Sequence, residues 1–122
     1  MDGNPQTDAA PPKARNRRST PRKPLDEPAE LRLLHPSCVL ACRILDLGLG
    51  GCRVRTEDRF LAGIMARLEV VFTVKGVSFR LTGVTQWTDR RNLVGIRFLE
   101  MNERRTAALA EALSEINHPP LP

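Results

Sequence analysis

The chain has 122 residues, room for one domain with a core of modest size, and 41% of them are apolar. The longest apolar stretches fall far short of the roughly 20 residues that cross a bilayer, which excludes membrane insertion by a helix. Net charge is +5, and its placement says more than its size: Lys13, Arg15, Arg17, Arg18, Arg22 and Lys23 follow one another with no acid before Asp26. Such a cluster suits a polyanion or a phosphorylated ligand, against the plainer alternative of a solvated tail. Met1 opens a polar, Pro-rich stretch and not a basic segment followed by an apolar one, so no secretory leader is read and the expected setting is the cytoplasm.

In chain order, residues 1–27 carry Pro, Asn, Thr, Asp and basic side chains with Leu25 the only large aliphatic after Met1, and are expected to form a disordered arm. A domain of residues 28–117 follows, with 118–122 as a tail. From Glu30 the alternation of Leu31 and Leu33 with polar neighbours predicts a first strand, and Cys38–Leu45 a second. Asp46-Leu47-Gly48-Leu49-Gly50-Gly51 reads as a turn, and Cys52 to Arg55 as a third strand with a basic polar face. After a turn over Thr56–Gly63, a long period-two run from Ile64 to Thr73 predicts a fourth strand. Lys75-Gly76 turns into a strand over Val77–Trp87, and Asp89–Asn92 into a last one over Leu93–Phe98.

The period then changes. Asn102 suits an N-cap, Glu103 suits the positive end of a helix, and Leu109, Leu113 and Ile116 recur at helical spacing until Pro119-Pro120. The predicted architecture is all-β with a C-terminal helix: a six-stranded antiparallel barrel, preceded by the basic arm and closed by the helix.

Three cysteines, an odd number in apolar surroundings, imply no disulfide framework. His35, Cys38 and Cys42 lack zinc spacing and a fourth ligand, so no metal is expected. With two histidines, one of them in the tail, no nucleophile, base and orienting group can be assembled, so the chain is not read as an enzyme. The Gly-Leu-Gly-Gly run precedes a strand and not a helix, which argues against a phosphate loop of the nucleotide hydrolases.

Two short elements stand out together, Arg18-Ser19-Thr20-Pro21-Arg22 before the first strand and Asp46-Leu47-Gly48-Leu49-Gly50-Gly51 after the second. In this the sequence resembles the PilZ family, whose signature is R-x-x-x-R on an N-terminal arm followed by [D/N]-x-S-x-x-G in an early strand turn. The resemblance spans about Arg15 to Ile116. It implies a receptor for cyclic di-GMP, with Arg18 and Arg22 holding phosphate and base. Asp46 would read the guanine edge, and Gly51 would permit a tight turn and close backbone approach. Gly48 stands where the family has Ser and so lacks one hydroxyl. Arg17 would add a contact, and Trp87 is either a core aromatic or a wall against a guanine. Arg53 is a weaker candidate beside the turn.

The chemistry fits the residues. A guanidinium meets a phosphate, or guanine O6 and N7, with paired donors and stacks on a base, while a carboxylate offers only acceptors, suiting guanine N1 and N2. The expected function is a cyclic di-GMP receptor and adaptor that orders its arm over the ligand and signals to an unidentified effector protein. Two rivals stand beside it: a PilZ-like adaptor that binds protein and no nucleotide, and a nonspecific nucleic-acid binder working through the arm.

Overall fold

The computed structural model describes residues 22–35 and 37–116, and most of the arm and the tail lie outside them. Six strands close an antiparallel barrel: β1 (Lys23–Leu34), β2 (Ser37–Leu47), β3 (Gly51–Thr56), β4 (Arg67–Val74), β5 (Val77–Thr88) and β6 (Leu93–Phe98), followed by α1 (Glu103–Ile116). Around the barrel the order is β1-β2-β3-β6-β5-β4 and back to β1, so consecutive strands pair except that β3 pairs with β6 and β1 with β4 to close the barrel. Closure removes most of the sheet edge that an open sheet would present.

The barrel interior takes the apolar alternates of every strand. Leu31, Ile44, Leu47, Val54, Leu68, Val70, Leu81 and Ile96 are buried, with Cys42 and Cys52 among them. Burial pushes the Cys42 thiol up to about 12, with the charges of Glu30 and Glu57 adding to it, and burial likewise pushes the Cys52 thiol up. Cys38 is exposed at the start of β2, whereas Cys42 is buried in the core. Among the described residues no three His, Cys, Asp or Glu side chains are grouped to hold a metal ion. No helix of the described residues is long and apolar enough to cross a membrane.

α1 seats Leu109, Ala112 and Leu113 on the core. Asn102 starts it as expected, its Oδ1 accepting from the N–H of Arg105 at 2.8 Å. The β4–β5 hairpin turns at Lys75 and Gly76, both at positive φ, the geometry whose twist matches the flanking strands.

Two strand starts differ most from the sequence reading. β1 begins at Lys23, seven residues before the predicted start, and includes Pro24 and Pro28. Pairing with β4 covers only Ala29–Leu33, so the earlier part of β1 meets β2 alone and its prolines sit on an open edge, where a missing N–H is tolerated. At the other boundary, β4 begins at Arg67, and Ile64 to Ala66 form a loop with Met65 at φ 65°. Buried Thr85 pins that loop, its hydroxyl donating to the Gly63 carbonyl at 2.7 Å and accepting from the Ala66 N–H at 3.0 Å.

Candidate functional site: a charged row across the outer barrel face

Simple alternation would bury Asp46, because it shares parity with the core residues Cys42 and Ile44. A β-bulge prevents this. Between Ile44 and Asp46 the β2–β3 register shifts, so that Leu45 is an extra residue and Asp46 turns to the outside while Leu47 returns to the core. A second irregularity, between Pro24 and Glu27 on β1, faces the same point from the other side. Asp46 therefore lies within β2, not in the predicted turn. The turn proper is Gly48–Gly50, closed by the Gly48 N–H donating to the Gly51 carbonyl at 2.8 Å.

Asp46 is only partly covered, and two guanidinium groups hold it. Arg22 Nη1 donates to Oδ1 at 3.1 Å, and Arg53 Nε donates to Oδ2 at 3.0 Å. The Arg22 contact joins the end of the arm motif to the start of the Asp46–Gly51 motif, 24 residues apart in sequence, because Pro24 and Asp46 are register partners. Arg53 arrives by register as well, opposite Asp46 on β3.

The row continues past Arg53. Its β6 partner is Gly95, and the β5 partner of Gly95 is Trp87. Trp87 also owes its direction to a bulge: Leu81, Gly83 and Thr85 point inward, and the extra residue Gln86 turns Trp87 outward. It is 43% exposed, which corrects the core-aromatic alternative and leaves the surface one. A Cβ on Gly95 would lie only 2.2 Å from Trp87 Nε1, so the indole rests directly on the glycine backbone. Asp46, Arg53, Gly95 and Trp87 thus form a ledge running from acceptor through cation to aromatic face, with Arg22 at its arm end.

At Gly51 the structural demand comes from a neighbouring strand: a Cβ would meet the Ile96 carbonyl oxygen at 2.1 Å. Arg17 and Arg18, expected to complete the arm's contribution, lie outside the described residues. Gly95 was not singled out from the sequence, although a glycine inside an apolar strand is a signal for close approach.

The described residues thus form a closed antiparallel barrel with a charged row across its outer face. The sequence profile of the PilZ domain matches residues 16–115, so the chain belongs to the PilZ domain family, a family of cyclic di-GMP receptors. Solved structures agree on the fold. The PilZ domain of CeSA from a cellulose-synthesising bacterium is similar at a TM-score of 0.64 and 16% identity, over 80% of this chain and 99% of that one. The PilZ domain of YcgR from Escherichia coli, solved with c-di-GMP, is similar at 0.62 and 18% identity, over 82% and 91%. No curated protein sequence matches the chain.

Proposed function

We propose that the chain is a non-enzymatic cyclic di-GMP receptor of the cytoplasm that folds its arm over the ligand and passes the change to an effector protein. The observation that carries this reading is the meeting of the split motif at Asp46, with Arg22 and Arg53 both on its carboxylate. The Asp46 carboxylate oxygens accept from the chain's own cations, Arg22 and Arg53. Ligand would exchange them: guanine N1 and N2 donate to Asp46, while Arg22, joined by Arg18 and Arg17, turns to phosphate and to guanine O6 and N7. Trp87 on its glycine ledge offers a flat apolar face to a base. Gly51 keeps the strand junction tight beside the site.

The test is calorimetric titration with cyclic di-GMP of the full chain and of Arg22→Ala. Saturable binding by the former and its marked loss in the latter are expected; unchanged binding in Arg22→Ala ends the two-part site. One observation favours a second reading, an adaptor that binds protein but no nucleotide: Gly48 supplies no hydroxyl. That reading is adopted if the folded chain shows no heat at high micromolar ligand. Binding equally well to RNA or DNA, with steep salt dependence, would instead mark a nonspecific nucleic-acid binder.

A further inference from the structure

The loop before β4 displays more apolar side chain than an isolated surface residue or two. Leu61 is 82% exposed, Ile64 61% and Met65 67%, and Trp87 lies beside them. Leu61, Ile64 and Trp87 line an open cleft of about 720 Å³, with buried Phe60 also in its wall. Contiguous exposed apolar surface of this kind marks an interaction site more often than it marks chance.

The loop's backbone is held in place. Phe60 N–H donates to the Arg91 carbonyl and Met65 N–H to the Thr85 carbonyl, both at 2.7 Å, and the Thr85 hydroxyl grips Gly63. The exposed side chains are therefore presented from fixed positions, which lowers the ordering cost of covering them. Two charged residues line the cleft, and both are cationic: Arg59 and Arg90, tied together by Arg59 Nε donating to the Arg90 carbonyl at 3.0 Å. Of the nearby acids, Asp89 turns one carboxylate oxygen to three backbone N–H groups, and exposed Asp58 lies outside the lining.

We propose that this cleft docks a segment of a partner protein, an amphipathic helix whose apolar ridge is bordered by carboxylates. Beside the cleft Thr85 N–H already donates to the Ala66 carbonyl and Trp87 pairs with Gly95, so recognition falls chiefly to the exposed side chains. The concave shape takes a ridge, whereas a bilayer would take a protruding loop, and a nucleotide would leave the aliphatic rim in water. The acidic border follows from Arg59 and Arg90. Trp87 belongs both to this cleft and to the ledge beside Arg53, so occupancy of the ledge is felt at the docking surface. That coupling rests on the proposed ligand reading, and the docking itself does not.

The experiment pans a phage-displayed library of helical peptides, about 16 residues long, against the full ligand-free chain, with Leu61→Asp as counter-bait. Leu61 is exposed enough for its replacement to leave the fold intact, which circular dichroism checks. Enriched peptides are expected to space Leu or Phe at helical intervals beside Asp or Glu, and to shift the emission of the single tryptophan to the blue. Binding should weaken about tenfold or more in Leu61→Asp and in the Arg59→Glu/Arg90→Glu double variant, and Glu→Lys peptides should recover it in the latter. No enrichment over the counter-bait, or winners indifferent to the arginine reversal, overturns the proposal. So does sedimentation of the wild type but not Leu61→Asp with phosphatidylglycerol vesicles while no peptide binds, which would make the patch a membrane surface. A separate cyclic di-GMP titration keeps the two readings apart, since either can fail with the other standing.

Discussion

Gly95→Ala tests the ledge directly. Its Cβ would lie 2.2 Å from Trp87 Nε1 and 2.6 Å from Cε2, so the indole has to leave. The indole is the free end of a side chain already 43% exposed, and it yields more readily than the strand does. Covering a little over half of an indole of about 200 Å² hides about 110 Å². At about 25 cal/mol per Å², full uncovering has a ceiling near 3 kcal/mol. Only the contact over Gly95 is lost, so about 1 kcal/mol is expected, a fall in Tm of about 5 °C for a domain of this size. Removing an aromatic face from a stacked base costs about 1–3 kcal/mol, which weakens ligand binding about 5- to 150-fold. Thermal melts, emission of the single tryptophan and calorimetry read the three effects. Emission and affinity both unchanged would show that Trp87 does not lie on Gly95 and would refute the row. A stability loss of about 4 kcal/mol or more would show that the strand, and not the indole, had moved.

Gly48→Ser restores the hydroxyl that the family pattern carries, and one hydrogen bond of about 0.5–1.5 kcal/mol should tighten cyclic di-GMP up to about tenfold by calorimetry; no gain in a folded variant means the hydroxyl does not reach the ligand. Iodoacetamide at pH 8 should label Cys38 alone in the native protein, since Cys42 and Cys52 are buried and held as thiols; a second label found by mass spectrometry contradicts the closed core. The backbone N–H of Arg91, with those of Leu93 and Asn92, holds the Asp89 carboxyl below its usual range. Because the folded value is the lower one, this carboxylate's support of the β5–β6 turn is complete above the ordinary aspartate value of about 3.9 and fades as pH falls through the folded value. Protection of the Leu93 amide from exchange should follow that course and be absent at neutral pH in Asp89→Ala; protection unaffected by the substitution would remove the role.

Much of the barrel is legible in the residues themselves. Alternating apolar positions announce the strands, Lys75-Gly76 and Asp89–Asn92 their turns, and the Asn102 cap with Leu109 and Leu113 the helix. The start of β1 is not, because Pro24 and Pro28 argue against a strand until the barrel leaves that edge unpaired. The Ile64–Ala66 segment alternates like a strand, yet Thr85 claims its backbone for a loop.

The site divides in the same way. Arg22, Asp46 and Trp87 can be picked out by residue type and motif spacing, since charge, acceptor groups and aromatic faces are properties a residue carries with it. Their direction is not such a property. Asp46 and Trp87 would both point into the core if their strands alternated without interruption, and only the extra residues Leu45 and Gln86, created by pairing with β3 and β6, turn them onto the surface. A bulge is settled between strands distant in the chain, so no local pattern announces it. For that reason the sequence alone determines which groups are available, and the closed barrel decides that Arg22, Asp46, Arg53, Gly95 and Trp87 lie in one row.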